Sequence, residues 1–382
     1  MKRIIIAPRP NWRQAVQDVG LVYNKLPNGG DYWNEGAYYC FSAREVDKLE
    51  AATTTLHKLC LDAAQHVIDN NRFTELGIPP AVIPVIKKAW EAEPPAIYGR
   101  FDLAYDGVNP PKLLEYNADT PTALLEASVV QWYWLKEVFP KADQFNSIHD
   151  KLVAKWRELD EYLVGAKLHF AHIDDLTLED TMTVTYLRDT AREAGIERTL
   201  PILVKDIGWD ESRKSFVDLD NEVIRSIFKL YPWEWLVNEE FGPKLLQTYE
   251  EVQWVEPIWK MLLSNKGLLP ILWELNPGHP NLLPTYFDGS RSMQSFIKKP
   301  KLSREGANVE IIVDGKVATA TDGDYGEEGF VYQEYFPLHG FDDHTPVVGS
   351  WMIDQEPAGI GIREASGLVT DNVSSFVPHM FE

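Results

Sequence analysis

The chain has 382 residues, enough for two or three modest domains, and its 45% hydrophobic content with 13 Trp, 16 Tyr and 16 Phe is typical of a folded globular protein. Its formal net charge of −21 argues against nucleic acid and anionic membranes as partners. No apolar run approaches membrane-spanning length and MKRIIIAPRPNW lacks a signal-peptide core, so we expect a cytoplasmic protein.

Two helices are predicted near the start of the chain. A Ser-Ala-Arg-Glu capping box at 42–45 begins the first helix, in which apolar residues recur at helical spacing as far as Val67. A shorter helix spans 83–92 and is stopped by prolines. The two cysteines, Cys40 and Cys60, lack CxxC or zinc-finger spacing and are expected to be core thiols.

The stretch 98–122 predicts a β-hairpin in which each strand has one polar face. Arg100 and Asp102 alternate with apolar residues in the first strand, and Glu115 and Asn117 do so in the second. If the strands close symmetrically about the intervening Asp-Gly-Val-Asn-Pro-Pro turn, Asp102 lies opposite Glu115 and Arg100 lies opposite Asn117.

Paired carboxylates on this face predict a magnesium site. Side by side, Asp102 and Glu115 repel one another unless a positive charge lies near them. A hard divalent cation takes carboxylate and amide oxygens as ligands, and Asn117 supplies the amide. The alternative is a solvated acidic hairpin in which Arg100 or Arg72 neutralises the pair.

A buried helix and a parallel-sheet unit follow the hairpin. Residues 122–138 predict a largely buried helix with Glu126 as the exposed or functional exception. A strand at 167–173, a helix at 178–193 and a returning strand at 199–204 predict a βαβ unit with a parallel sheet. The aromatic stretch 226–236 is expected to pack on that sheet. This unit has no GxGxxG loop, so it is not a dinucleotide site by itself.

From Lys266 onward the pattern changes to short antiparallel strands. The segment 309–319 is predicted to form a hairpin with its turn at Asp314-Gly315. The predicted strands are 295–302, 309–319, 329–336, 346–353 and 358–364. The chain divides into three approximate sub-units: 1–150 (helical, with the metal-binding hairpin), 151–260 (the βαβ unit) and 261–382 (the antiparallel sheets). No flexible linker is evident between them, so they are expected to share interfaces.

The segment KKPKLSREGAN could hold phosphate. It places lysines on a strand before a small polar loop, 303–308, in which Arg304 and Gly306 lie and whose backbone N–H groups could approach phosphate oxygens. Lys266 could be a second phosphate ligand. The alternatives are a solvated basic turn for the segment and a solvated or carbonyl-capping role for the lysine.

Two further features of the C-terminal strands could serve a binding site. Arg363 follows GIGI in a late strand, where its guanidinium could clamp a carboxylate or a phosphate, unless it pairs with Glu364 or Glu356 instead. The strand end QEYF, which begins with Gln333 and Glu334, could present main-chain groups to an adenine edge, or it could be an ordinary core strand.

In the order and spacing of these motifs the chain closely resembles the C-terminal synthetase domain of the glutathionylspermidine synthase family. The motifs are RFDLAYDG, LLEYNADTPT, the lysine of SNKGLLP, KPKLSREGAN, QEYF and GIGIRE. The resemblance covers nearly the whole chain, 1–382. It implies an α/β (α+β) protein with an ATP-grasp-like fold, in which a βαβ parallel-sheet unit accompanies antiparallel nucleotide-binding sheets.

The resemblance also implies the roles of individual residues. Magnesium would be held by Asp102, Glu115 and Asn117. ATP would be bound by Lys266, Lys299, Arg304, Gly306, Gln333 and Glu334, with the two lysines and the arginine on the phosphates. Arg100 and Arg363 would engage the reacting carboxylate or the transferring phosphoryl group. Thr120 and Thr122 would lie near the acid substrate.

The predicted function is that of an ATP- and Mg²⁺-dependent acid–amine ligase, which forms an amide through an acyl phosphate. Its expected partners are a small acid of peptide-like character and an amine such as a polyamine, for which the acidic surface is suited. Bifunctional family members also carry an amidase with a cysteine nucleophile, which this chain is expected to lack.

Two alternatives remain open at this stage. One is a catalytically silent nucleotide-binding protein on the same scaffold. The other is a carbohydrate-active enzyme that uses Asp102 and Glu115, although directly opposed strand neighbours lie closer than the roughly 5 Å that such carboxylate pairs need.

Overall fold

A computed structural model of the chain describes residues 1–26, 29–175, 177–341, 344–365, 367 and 374–382. The helices of these ranges are α1 (Trp12–Asp18), α2 (Ala43–Asp69), α3 (Ile83–Ala92), α4 (Gln131–Val138), α5 (Ile148–Leu159), α6 (Glu179–Glu193), α7 (Trp233–Leu236), α8 (Gly242–Gln247), α9 (Lys260–Leu263) and α10 (Leu268–Leu275).

The strands are β1 (Lys2–Ile5), β2 (Ala37–Phe41), β3 (Tyr98–Ala104), β4 (Lys112–Asn117), β5 (Leu168–His172), β6 (Thr199–Leu203), β7 (Gly208–Asp210), β8 (Ser215–Val217), β9 (Ser226–Leu230), β10 (Gln253–Val255), β11 (Thr285–Tyr286), β12 (Phe296–Pro300), β13 (Glu310–Val313), β14 (Lys316–Ala320), β15 (Phe330–Glu334), β16 (Thr345–Ile353), β17 (Glu356–Ala365), β18 (Ser375–Val377) and β19 (His379–Phe381).

The predicted hairpin forms β3 and β4 and enters an antiparallel sheet of order β18-β17-β16-β3-β4. Asp102 pairs with Glu115 and Arg100 pairs with Asn117, which confirms the predicted register. A bulge follows Asp102, and the register shifts by one residue beyond it. The four polar residues of the two strands therefore lie on one face of the hairpin, as the alternation of polar and apolar residues predicts.

The predicted βαβ unit is also confirmed. β5 and β6 are parallel neighbours in a four-stranded sheet of order β10-β9-β5-β6, and helix α6 connects them along the chain. The expectation that 226–236 packs on this sheet is wrong for its first half, because β9 is itself a strand that pairs in parallel with β5. β9 is buried at all five positions, including Ser226 and Lys229, so it lacks the continuous apolar run that is typical of strands in a parallel sheet.

A third sheet is antiparallel, of order β11-β15-β12-β13-β14. Its β13–β14 hairpin turns at Asp314 and Gly315, both with positive φ as a tight primed turn requires, so this prediction is confirmed. The prediction of strands alone after Lys266 is wrong, because α10 begins two residues later and buries its apolar sequence LLPI.

The helix predictions hold with one exception. α2 begins at the predicted capping box and α3 has the predicted bounds. The helix predicted from residue 122 starts after Ala123, whose positive φ interrupts it, and runs as a π-helix over 126–130 before α4. Glu126 is buried rather than exposed and accepts a 2.7 Å hydrogen bond from the Tyr32 hydroxyl.

The remaining features concern the core and the surface. Cys60 is buried and Cys40 partly buried, both as free thiols, as predicted. β1, β2 and β19 form a small mixed sheet that joins the two ends of the described chain. In the described part of the chain, no helix combines the length and the hydrophobicity that a membrane-spanning segment requires.

Candidate functional site

A cavity of about 290 Å³ lies where the three large sheets meet. Its walls are the polar face of the β3–β4 hairpin, strands β12 and β13, the loop 303–308, and the carboxyl ends of β5 and β9. Eleven of the thirteen residues predicted from sequence line it: Arg100, Asp102, Glu115, Asn117, Thr120, Thr122, Lys266, Lys299, Arg304, Gly306 and Arg363.

Asp102 lies between two arginines at one end of the cavity. Arg100 Nε lies 2.7 Å from Asp102 Oδ1, and Arg363 Nη2 lies 2.6 Å from Asp102 Oδ2. Arg363 therefore pairs with neither of its predicted structural partners. Glu364 binds Arg3 instead, and Glu356 binds Lys151.

Glu115 is neutralised separately from Asp102. Its Oε2 lies 3.0 Å from Lys266 Nζ, and its Oε1 accepts a 3.1 Å hydrogen bond from Asn117 Nδ2. Burial opposes ionisation of Glu115, but Lys266 and Lys299 outweigh it and hold the pKa of this carboxyl well below its usual range. Both carboxylates of the hairpin are therefore held by cations of the chain. Arg72 takes no part, since it binds Glu75 and Glu274.

Lys299 is a second buried cation near Glu115. Its ammonium donates to Gln333 Oε1 at 2.7 Å and to the Leu114 carbonyl at 3.2 Å. Burial, with a contribution from Lys266, lowers the pKa of Lys299 from 10.5 to about 8. This lysine is poised to lose its charge only slightly above neutral pH.

The loop 303–308 lines the cavity, and Arg304 makes its side-chain contacts there. Its Nη1 donates to Thr120 Oγ1 at 2.8 Å and its Nη2 contacts Glu234 Oε1 at 2.6 Å. Its buried Nε has no hydrogen-bond partner in the ranges that the structure covers. Glu305 and Gly306 both have positive φ, and within those ranges their N–H groups donate to no other residue. These unused donors are suited to an anion.

The two remaining predicted residues lie outside the cavity. Gln333 is buried behind the wall, where its side chain binds Lys299 and the Leu113 carbonyl. The N–H of Glu334 donates to the Pro284 carbonyl. The next residues along the chain, Tyr335 and Phe336, line the cavity instead.

The cavity wall also contains residues that the sequence analysis did not identify. Asp180, at the start of α6, faces the cavity beside Tyr231 and Trp235. Burial, together with Asp175, Glu179 and Glu305, raises the pKa of Asp180 to about 7. The available signals were the position of Asp180 at the carboxyl end of β5 and the aromatic residues after β9, because ligands of parallel sheets bind at that edge.

The hairpin residues carry the kinds of donor atom that a hard divalent cation takes, and in this structure both carboxylates are paired with arginine or lysine. Two carboxylates and one amide lie on the same face of paired strands and line the same cavity. Such oxygen donors suit Mg²⁺, which keeps several of its ligands as water or phosphate oxygens. Within the described ranges no cluster of three or more His, Cys, Asp or Glu side chains could hold a metal, so the amide of Asn117 would have to complete the set.

Comparisons with known proteins agree with these observations. The family model described as "Glutathionylspermidine synthase preATP-grasp" matches residues 3–382. A Haemophilus influenzae protein named "Putative acid–amine ligase" is 42% identical over the full length of both chains. Trypanothione synthetase of Crithidia fasciculata is 28% identical over 85% of this chain and 53% of its own length.

Two more relatives bear on domain content and fold. The bifunctional glutathionylspermidine synthetase/amidase of Escherichia coli is 25% identical over 89% of this chain and 58% of its own. The chain therefore spans little more than half the length of these synthetases. A glutathione synthetase-like effector from Globodera pallida superposes with a TM-score of 0.59 at 10% identity, over 99% of this chain and all of the effector. This likeness shows the fold, and the sheets of the chain confirm the predicted α/β class with a parallel-sheet unit beside antiparallel sheets.

The predictions of family and of enzyme class are confirmed as well. The family model matches residues 3–382 and one relative is 42% identical over its full length. The relatives reported above are named as ligases or synthetases, one of them also as an amidase. The chain belongs to the glutathionylspermidine synthase preATP-grasp family of ligases.

Proposed function

We propose that this protein is an ATP- and Mg²⁺-dependent acid–amine ligase that forms an amide through an acyl phosphate. The observation that carries the proposal is the gathering of Asp102, Glu115 and Asn117 with two lysines and three arginines around one cavity, although these residues span 264 positions between the first and last of them, Arg100 and Arg363. Such a concentration of fixed charge is what phosphoryl transfer to a carboxylate requires.

The residues divide the work by position. Lys266, Lys299 and Arg304 would bind the phosphates, and the unused N–H groups of Glu305 and Gly306 would add neutral donors. Asp102, Glu115 and Asn117 would hold Mg²⁺, which draws charge from the transferring phosphoryl group when bound. The apolar wall that includes Tyr335 and Phe336 would receive the base.

Arg363 and Arg100 would orient the acid. A carboxylate becomes a good electrophile only when one of its oxygens is phosphorylated. Arg100 donates to the Thr122 carbonyl at 2.6 Å and Arg304 donates to Thr120, so each threonine on the cavity surface is in contact with an arginine. The acid carboxylate would lie on this surface with its oxygen toward the phosphates.

The amine would enter along the cavity wall that contains Asp180. Asp180 lies beside two aromatic rings, and Glu179 and Glu305 contribute to the electrostatic environment of its carboxyl group. A cationic amine would neutralise this acidic group, and the chain of a polyamine would lie along the rings. The loop 303–308 would close over both substrates and exclude water while the amine attacks.

The direct test is ADP release by the purified protein with ATP, Mg²⁺, an acid and an amine. Glutathione with spermidine is the first pair, since the names of the relatives combine them, and other peptide acids and diamines follow. We expect ADP release that requires acid, amine and Mg²⁺ together. Tight nucleotide binding without ADP release from any pair would instead favour a silent nucleotide-binding protein.

The pKa of Lys299 predicts the pH dependence of nucleotide use. As pH rises through about 8 the ammonium is lost, so kcat/KM for ATP should fall on the alkaline side. The folded protein binds fewer protons at this site than the unfolded chain between about 8 and 10.5, so the contribution of Lys299 to stability rises with pH in that window. Activity and this stability contribution should therefore change in opposite directions.

The measurement is kcat/KM across pH about 6 to 10 for the native protein and for Lys299→Arg. The arginine keeps its charge throughout this range. We expect the alkaline decline to be absent or shifted upward in Lys299→Arg. Identical alkaline declines in the two proteins would rule out Lys299 as their cause.

A further inference from the structure

The loop after β4 contains one charged side chain that turns away from the cavity. Asn117, Thr120 and Thr122 line the cavity, whereas Asp119 does not and is fully buried behind it. Asp119 belongs to the Asn-Ala-Asp run of the sequence, yet neither nucleotide, metal nor substrate would touch it. A buried carboxylate is costly unless its partners compensate it.

The carboxylate of Asp119 joins this loop to the parallel sheet. Its Oδ1 lies 2.5 Å from Nζ of Lys229, which is also buried, near the end of β9. Its Oδ2 accepts a 3.0 Å hydrogen bond from the N–H of Trp233, the first residue of α7. One side chain thus fixes the β4 loop against the wall that holds Tyr231.

The backbone of the same loop is fixed to a second element. The N–H groups of Ala118 and Asp119 both donate to Oγ of Ser264, at 2.9 Å and 2.7 Å. Ser264 directly follows α9 and lies two residues before Lys266, which contacts Glu115. The loop is therefore held on one side by Lys229 and on the other by the segment that positions a phosphate-binding lysine.

We propose that Asp119 is a positioning residue of the ligase, which fixes Asn117 and Thr120 relative to the phosphate-binding groups through its buried contacts with Lys229 and Trp233. The expected loss of turnover rests on the proposed function, whereas the expected loosening of the β4 loop does not. A displacement of about 1 Å in a positioned group can cost about 100-fold in rate. Asn117 and Thr120 each lie within two residues of Asp119, so they would move with it.

The test variant is Asp119→Asn, which keeps the size of the side chain and an acceptor for Trp233 but removes the charge that faces Lys229. We expect amide hydrogen exchange of residues 117–122 to accelerate at least about tenfold. We also expect kcat to fall about 10- to 100-fold, and the Mg²⁺ concentration for half-maximal rate to rise, because Asn117 is displaced.

The matched control is Glu35→Gln. Glu35 is also a buried carboxylate in an ion pair, with Arg9 at 2.6 Å, but it lies outside the cavity. We expect this variant to lose stability while its kcat and Mg²⁺ dependence stay at the native values. Equal losses of activity in both variants, at matched folded fraction, would show that Asp119 is merely structural and would overturn the inference.

A milder variant covers the case in which Asp119→Asn does not fold. Lys229→Gln removes the charge that pairs with Asp119 but keeps a donor at that position. Hydrogen exchange at 117–122 and the Mg²⁺ dependence of this variant should shift in the same direction as in Asp119→Asn, by a smaller factor. Unchanged exchange at 117–122 in whichever variant folds would contradict the inference. A native protein that releases no ADP would contradict the proposed function instead, and the exchange measurement would still decide the role of Asp119.

Discussion

Glu115→Gln is expected to lower the turnover of the ligase on the order of 1,000-fold, because it removes one of two charged groups proposed to hold Mg²⁺ at the transferring phosphoryl group. The affinity for nucleotide in the presence of Mg²⁺ should fall as well, whereas metal-free binding should not weaken, because Lys266 no longer pairs with a carboxylate. Steady-state ADP release and calorimetric titration measure the two effects.

The same substitution should destabilise the fold rather than relieve repulsion. Asp102 and Glu115 are each neutralised by separate cations, so removal of Glu115 leaves Lys266 and Lys299 without their shared carboxylate. The matched control is Glu310→Gln, which breaks a strand carboxylate–lysine pair with Lys298 outside the cavity. Native turnover in Glu115→Gln would remove this residue from the metal site.

Arg363→Ala is expected to lower kcat by about 100-fold while the affinity for nucleotide stays close to that of the native protein. The physical reason is that Arg363 contacts Asp102 rather than the loop 303–308, so we propose that it acts on the acid and the transferring group rather than on the bound phosphates. Asp102 keeps its contacts with Arg100, so the variant should fold.

Two comparison variants sharpen this prediction. Arg363→Lys keeps the charge but not the planar guanidinium with its several donors, and its kcat should fall between those of the native protein and Arg363→Ala. Arg13→Ala removes an exposed arginine that pairs with Asp31 outside the cavity, and should leave kcat unchanged. If Arg363→Ala weakened nucleotide binding as much as it lowered kcat, its assignment to the acid would be wrong.

The hairpin shows what the sequence alone could predict. The strict alternation of Arg100 and Asp102 with apolar residues, and of Glu115 and Asn117 likewise, left one register that buries the apolar side chains. That register by itself places these four site residues on one face of the hairpin. The family resemblance then added residues whose contacts cross the whole chain.

The partners of these residues could not be predicted in the same way. Arg363 and Asp102 are 261 positions apart, and no local pattern favours this pair over Arg363 with its sequence neighbour Glu364. The alternation of strand β17 decides the matter, because it turns adjacent residues to opposite faces of the sheet. To know which face of β17 lies against the cavity, however, one must know which strands it pairs with in the folded sheet.

The position of a strand end is another feature that local sequence leaves open. β15 ends at Glu334, and Tyr335 and Phe336 beyond it line the cavity. Contact of Gln333 and Glu334 with nucleotide stays a prediction. The π-helix at 126–130 carries no sequence signal, since its residues suit an α-helix equally well. Asp180 was missed because its sequence neighbours belong to an ordinary amphipathic helix.

The central claim is that the cavity binds nucleotide together with Mg²⁺ at the β3–β4 hairpin. Calorimetric titration of a non-hydrolysable ATP analogue with and without Mg²⁺, repeated with Glu115→Gln, tests it most directly. We predict saturable binding that Mg²⁺ strengthens in the native protein and no longer strengthens in the variant. Binding that ignores Mg²⁺, or no binding at about millimolar analogue, where even a weak site would be occupied, would contradict the claim.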